Sequence, residues 1–346
     1  MQSSDIKMQK RVGKATRLIL NKTKRGRKAL SSFIKGILAT AIIFCCAVSV
    51  NAAPLNIVVS IAPLQALAEG ILGNKGTVTE IVPANMSPHS YTLKPADLIA
   101  MSKAKAIIWV GPQLEFFLFK SIENLKSSRP VMTVIDLPGL ELLQARTGVN
   151  WEGEHAHSSD YAHSTEKNTL PPSQQYSLDP HLWLNPNNAE IILKQITALV
   201  VKLDPANAAY YQNNLKMRLA ELNALDKKLK TKLTPIQNKP YLVFHDGYQY
   251  FEKYYHLNDL GVVLLNSEVP LSGKQLQETR AKIERLKISC VFKEPHTNDR
   301  LADSIVHGTK ARLGQLDPLD SGLVTGWQSY PGLLEKDAHA LVECLR

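Results

Sequence analysis

The stretch Ser177-Leu-Asp-Pro-His-Leu-Trp-Leu-Asn-Pro186 places one imidazole, His181, between a proline and an apolar run that a second proline closes. Pro180 fixes its own φ and favours an extended conformation for Asp179. The sequence therefore presents His181 from a stiff turn. A single histidine is more often structural than a ligand, so its role depends on what the rest of the chain brings to it.

Two further histidines occupy comparable positions. His89 follows a proline in Met86-Ser-Pro-His-Ser-Tyr91, and His245 follows the strand-like run Tyr241-Leu-Val-Phe244. Neutral imidazole suits zinc, and a site with three protein ligands keeps a fourth position for water or a carboxylate. Three such histidines from distant parts of the chain predict one shared metal site.

The fourth position and the chemistry stay open at this stage. Asp317, in Leu316-Asp-Pro-Leu319, is the candidate fourth ligand, although an Asp-Pro pair also forms turns without any metal. Three histidines and a water would also describe a zinc hydrolase, which needs a placed general base. Glu268 and Glu294 are the candidate bases, and no spacing marks either of them.

Apolar, β-branched runs alternate with helical segments in both halves of the chain. Helices are predicted over 298–313 and 333–345, and strands near residues 55–62, 77–82, 106–110, 131–136, 240–244, 260–265 and 289–293. This alternation predicts an α/β fold with parallel sheets and helices on both faces. Ligands of open α/β sheets bind beyond the carboxyl ends of the strands, so the histidines fit a cleft between two lobes.

Residues 205–233 predict one long helix, either a stiff connection between lobes or an amphipathic helix packed on one of them. We therefore predict lobes over 53–204 and 234–346. Residues 138–176 are polar and predict a mobile loop. Its histidines, His155, His157 and His163, could hold a metal ion loosely or belong to a solvated loop.

The formal charge of +10 lies in the first 52 residues, which hold 11 of the 41 Lys and Arg residues and one acid, Asp5. The remainder has 30 basic and 30 acidic residues, so it offers no basic surface for nucleic acid. A basic segment, an apolar run of about 15 residues and Val50-Asn-Ala52 are typical of an export signal, with an uncleaved anchor as the alternative.

Cys290 and Cys344 are the cysteines that follow the predicted signal. In an exported chain, two cysteines most simply form one disulfide. A pair of soft metal ligands is the alternative.

The chain resembles the zinc-binding periplasmic components of ABC transporters, the ZnuA type, over nearly all of its length after residue 52. Four segments carry the resemblance in the same order: Pro88-His-Ser-Tyr91, Asp179-Pro-His-Leu-Trp-Leu-Asn-Pro186, Phe244-His-Asp-Gly-Tyr-Gln-Tyr-Phe251 and Leu316-Asp-Pro-Leu319. The resemblance implies two α/β lobes joined by one long rigid helix, with Zn²⁺ bound in the cleft by His89, His181 and His245. It also implies a disulfide between Cys290 and Cys344.

The family resemblance further implies a monomeric periplasmic protein that has no catalytic activity and delivers zinc to a membrane permease driven by an ATPase. Manganese relatives carry a carboxylate where this chain has His245, so the third imidazole favours zinc. Some zinc-binding members carry an acidic residue beside the first ligand, where this chain has Pro88. The fourth ligand therefore stays open between Asp317 and water, and a metal-binding surface adhesin or buffer is the remaining alternative function.

We predict that the exported protein begins near Ala53 and is close to neutral, because the basic segment and the apolar run end at Ala52. Intact-mass measurement of the secreted protein tests this. A secreted chain that retains residues 1–52 would contradict it.

Overall fold

Two four-stranded sheets organise the protein, and every strand pair in them is parallel. The structure is a computed structural model that describes residues 54–146, 178–264, 271–322 and 325–346. The first sheet has the order β2-β1-β3-β4 and comprises β1 (Leu55–Val59), β2 (Gly76–Glu80), β3 (Ala106–Trp109) and β4 (Val131–Thr133). The second has the order β6-β5-β7-β8 and comprises β5 (Tyr241–Val243), β6 (Asp259–Val262), β7 (Cys290–Lys293) and β8 (Arg312–Gln315).

Helices connect and flank these strands, which confirms the predicted α/β architecture. They are α1 (Ala62–Leu72), α2 (Pro95–Lys103), α3 (Phe119–Leu125), α4 (Pro186–Leu203), α5 (Ala208–Leu233), α6 (Gln249–Tyr255), α7 (Gly273–Arg285), α8 (Asp299–Val306) and α9 (Ser329–Leu345). The central strands are apolar runs; all four residues of β3 are buried, as expected where helices cover both faces. Within the described ranges, no helix has the length and apolar character needed to cross a membrane.

The helix α5 lies between the two sheets in the sequence and has 26 residues, which gives a length of about 39 Å. It contacts α1 and α4, which follow strands of the first sheet, and also α9 at the carboxyl terminus. The buried side chains include Leu222, Leu225, Leu229 and Leu233, so this long connection is also a packed helix. Residues 54–346 form one compact unit, and the lobe boundaries at 204 and 234 stay predictions.

Several of the predicted elements were wrong in extent; the strand expected near 55–62, for example, ends at Val59, and α1 begins at Ala62. The helix expected over 298–313 ends at Val306, because the chain turns at Gly308 with φ +80°, and residues 312–315 form β8. This strand has no β-branched residue, and its Gly314 lies where a Cβ would be 2.5 Å from the Phe292 ring. The strand expected over 131–136 stops at Thr133 and continues as a 3₁₀ turn, and α9 begins four residues before Leu333.

Several predictions fall outside the described residues. They concern the export signal over 1–52, the greater part of the loop 138–176 with His155, His157 and His163, and Glu268.

A disulfide joins Cys290, the first residue of β7, to Cys344 near the end of α9, with 6.1 Å between the Cα atoms. Cys290 is fully buried. The disulfide therefore ties the last helix to a central strand of the second sheet, as the cysteine pattern predicted.

Replacing both Cys290 and Cys344 by alanine should lower the free energy of unfolding by about 4 kcal/mol, because the closed loop of 54 residues no longer restricts the unfolded chain. For a chain of this size that corresponds to a fall in Tm on the order of 10 °C. Calorimetry of both proteins is the measurement. An unchanged Tm would show that the disulfide does not stabilise the fold.

Candidate metal centre

The three histidines predicted as ligands come together in the structure. Each of His89, His181 and His245 offers one ring nitrogen, and these three nitrogens lie within 4.8 Å of one another. The ring centroids are 5.0 Å apart for His181 and His245, 5.2 Å for His89 and His245, and 5.5 Å for His89 and His181. In a tetrahedral zinc site the ligating nitrogens are about 3.4 Å apart, so a small contraction would complete the coordination.

The fold brings these rings together from both sheets. His89 lies in the loop that follows β2, and His245 lies two residues after β5. His181 precedes a 3₁₀ turn, Leu182–Leu184, that leads into α4. The loops after β2 and β5 leave the carboxyl ends of strands in the two different sheets, and the rings of His89 and His245 meet there with centroids 5.2 Å apart.

A buried carboxylate orients His181. Asp179 Oδ1 lies 2.8 Å from the ring Nδ1 of His181 and also accepts a hydrogen bond from the backbone N–H of His181 at 2.9 Å. Asp179 and His181 are 3% and 4% exposed. A carboxylate on Nδ1 fixes the proton there and leaves Nε2 free to ligate a metal.

A second carboxylate orients His245. Glu294, the residue after β7, places Oε1 3.0 Å from His245 Nδ1, and the hydroxyl of Tyr248 donates to the same oxygen at 3.2 Å. Burial lowers the pKa of His245, but the carboxylates of Glu294, Asp246 and Asp179 together offset this, Glu294 most strongly, and the pKa is raised above its usual value. For Glu294 the two effects are reversed. Burial raises its pKa, but the imidazole of His245 lowers the pKa further, to below its usual value.

His89 is the most solvent-exposed of the three residues, although its ring lies against the other two imidazoles. Loss of solvent around the ring, together with His245 and His181, lowers the pKa of His89 well below its usual value. A hydroxyl–carboxylate bond of 2.9 Å from Tyr91 to Asp97 attaches this loop to α2. The site can therefore keep His89 neutral, which is the form that binds a metal.

The other polar residues of the motif around His181 hold the turn in place. The indole of Trp183 donates to the carbonyl of Pro318 at 2.8 Å, and its own carbonyl accepts from the Tyr330 hydroxyl at 2.6 Å. Asn185 caps α4 by accepting from the backbone N–H of Asn187 at 2.9 Å. The two bonds of Trp183 connect the His181 turn to the carboxyl-terminal part of the chain.

Asp317 does not join the cluster of nitrogens in the described residues. Its carboxylate accepts hydrogen bonds from the backbone N–H groups of Leu319, at 3.1 Å, and Ser321, at 2.5 Å. These contacts are those of a turn-forming aspartate. The assignment of Asp317 as fourth ligand therefore stays a prediction, with water as the alternative.

Sequence reasoning missed the residues that support the ligands. The sequence indicates Asp179 only as the residue before a proline, and Glu294 only as a candidate base. The available signal was position. Glu294 directly follows β7 at the carboxyl-terminal edge of the second sheet, the edge at which His245 follows β5. Gly247 was also missed: a Cβ there would lie 3.0 Å from His245 Nδ1 and 3.6 Å from His181 Cδ2, so glycine leaves room for both rings.

The two parallel sheets and their flanking helices define a two-lobed α/β protein. Its three convergent imidazoles, two of them held by carboxylates, can bind a metal ion of borderline softness such as Zn²⁺. The sequence pattern of the family described as zinc-uptake complex component A, periplasmic (ZnuA), matches residues 57–344. The chain belongs to this family.

Individual relatives agree with this assignment. The high-affinity zinc uptake system protein ZnuA of Brucella abortus is 34% identical over 306 residues, which cover 84% of this chain and 91% of that protein. The protein of the same name from Yersinia pestis is 31% identical over 296 residues, covering 86% and 93%. The fold is similar to that of the periplasmic zinc-binding protein TroA from Treponema pallidum, with a TM-score of 0.69, 19% identity and coverage of 85% and 99%.

The ion pair between Glu294 and His245 predicts how metal binding depends on pH. Zn²⁺ must displace a proton from His245, so wild-type affinity should fall as the pH drops through the raised pKa of this residue. Glu294→Gln removes the main cause of the upward shift, and burial then lowers the pKa. The fall in affinity should therefore begin at a lower pH, and binding above that range should be weaker by about 10- to 100-fold.

Competition titration with a chromophoric zinc chelator between about pH 5 and 8 measures both effects. Glu335→Gln is the matched control, because Glu335 forms an exposed ion pair with Lys228 on another surface. A Glu294→Gln profile that coincides with that of the wild type would contradict the role given to Glu294.

Proposed function

We propose that this protein captures Zn²⁺ between its two lobes in the periplasm and delivers it to a membrane permease that an ATPase drives. Zinc is the cargo, and the protein acts as a monomer without catalysis of its own. The observation that carries the proposal is the convergence of three imidazole nitrogens, two of them oriented by carboxylates, in a chain that belongs to a zinc-uptake family.

The site is better suited to holding an ion than to activating water. Glu294, the described candidate for a general base, already accepts hydrogen bonds at His245 and Tyr248. A hydrolase would need a free base beside the fourth position of the metal. In the proposed site that position is filled by water or Asp317, and cargo release follows from separating His245 from His89 and His181.

The remaining parts of the chain take secondary roles in this proposal. Residues 1–52 direct export and are removed near Ala52. His155, His157 and His163 hold additional zinc weakly and do not form the tight site.

Each of His89→Ala, His181→Ala and His245→Ala should weaken zinc binding on the order of 10²-fold or more, because water replaces an oriented imidazole. Asp317→Ala should cost less, since water can take the fourth position. The measurement is a competition titration on the mature protein, with a stoichiometry of one tightly bound zinc per chain. Light scattering during gel filtration gives the oligomeric state.

His339→Ala is the matched control, because His339 is an exposed histidine paired with Glu343 on α9. Wild-type affinity in any of the three ligand variants would remove that residue from the site. Zinc-limited cells that lack the protein should regain zinc uptake with the wild-type gene and not with the His181→Ala gene. If the wild-type protein binds zinc but its gene does not restore zinc uptake, the result would favour the buffer or adhesin alternative.

A further inference from the structure

Residues 141–146, which we call the strap, run between the two ligand turns. The backbone N–H of Leu143 donates to the Tyr250 hydroxyl at 3.0 Å, and the same hydroxyl donates to the Asp179 carbonyl at 3.0 Å. The carbonyl of Leu143 accepts from the backbone N–H of Asp179 at 2.9 Å. The strap is therefore bonded both to the turn that carries His181 and to α6, which follows the turn that carries His245.

An amide side chain strengthens this junction. With its amide oriented to satisfy its neighbours, Gln249 donates to Asp179 Oδ2 at 2.9 Å and to the Gln144 carbonyl at 3.1 Å. The other oxygen of the Asp179 carboxylate holds His181. Gln249 on α6, the helix that follows His245, thus bonds both to Asp179, which supports His181, and to the strap.

The strap ends at Arg146, whose side chain is 10% exposed and lies among three carboxylates. Its guanidinium contacts Asp246 through two nitrogens: Nε lies 3.0 and 3.2 Å from Oδ1 and Oδ2, and Nη2 also donates to Oδ1. It also lies 3.0 Å from Glu252 and 3.5 Å from Asp259, whose side chains are 5% and 1% exposed. Two-point contacts between a guanidinium and a carboxylate fix direction as well as charge.

Asp246 directly follows His245 in the chain. The backbone of residues 245–247 forms a tight turn in which the N–H of Gly247 donates to the His245 carbonyl at 2.9 Å. A side chain held at Asp246 therefore restricts the rotation of the turn that presents the His245 ring. Arg146 is the group that holds it.

We infer that Arg146 is a positioning residue of the metal centre, which binds Asp246 and so fixes His245 relative to His181. This inference rests on the proposed function of zinc capture. It assigns to the strap the task of keeping ligands from the two lobes in register, because a ligand that moves freely must be ordered again whenever zinc binds.

If Arg146 acted only through its charge, its removal would change zinc affinity in the opposite direction from that expected of a positioning residue. Removing a cation near the site should strengthen Zn²⁺ binding through space, whereas loss of positioning should weaken it. Arg146→Met should therefore bind zinc about 10- to 100-fold more weakly and release it faster. Arg146→Lys keeps the charge but not the two-point contact, so it should lose affinity to a smaller degree.

Asp246→Asn keeps Arg146 paired with Glu252 and Asp259, so it tests the contact if the Arg146→Met chain does not fold. It should weaken binding, and the double variant Arg146→Met/Asp246→Asn should be no weaker than the more affected single variant. The absorption spectrum of bound Co²⁺ should change in Arg146→Lys, which a loss of stability alone would not cause. Arg129→Lys is the control, because Arg129 donates to three backbone carbonyls in the first lobe, those of Met101, Ser102 and Ala104.

Wild-type zinc affinity and an unchanged Co²⁺ spectrum in Arg146→Lys, or tighter binding in Arg146→Met, would overturn the inference. The proposed function would still stand if His181→Ala loses zinc. A wild-type protein that binds no zinc would instead overturn the proposed function itself.

Discussion

A hydrogen bond between a carboxylate and the Nδ1 atom of a histidine occurs twice at the candidate metal centre, and the geometry of the three imidazoles depends on both. Asp179 holds His181, and Glu294 holds His245. Each bond fixes a tautomer, so the Nε2 atoms of both rings are directed away from their carboxylates. An imidazole without such a partner could rotate, and three rotating rings would bind a metal ion with little selectivity or strength.

The two supporting carboxylates differ in burial and come from different parts of the fold. Asp179 is almost completely buried and bonded within its own turn, whereas Glu294 reaches His245 from the neighbouring strand. Asp179 therefore supports His181 from within the same turn, whereas Glu294 supports His245 from the second sheet.

The sequence allowed the α/β class, the convergence of three histidines and the disulfide to be predicted, because each has a local signal: apolar strand runs, histidines after prolines or strands, and two cysteines. The edge strand β8 gave no such signal, since Arg312–Gln315 has one large apolar residue and no β-branched residue. The sequence offered only a positional signal for the role of Glu294, which directly follows β7, and none for that of Arg146. Glu294 lies 49 residues from His245 and Arg146 lies 100 residues from Asp246, so only the folded chain brings these partners together.

Anomalous diffraction at the zinc edge from crystals of the zinc-loaded mature protein tests the central claim most directly. The account predicts one strong peak, about 2.0–2.1 Å from the Nε2 atoms of His89, His181 and His245, with Nδ1 of the latter two still on Asp179 and Glu294. A peak bound through Nδ1 of either histidine, or a main peak away from these three rings, would contradict it.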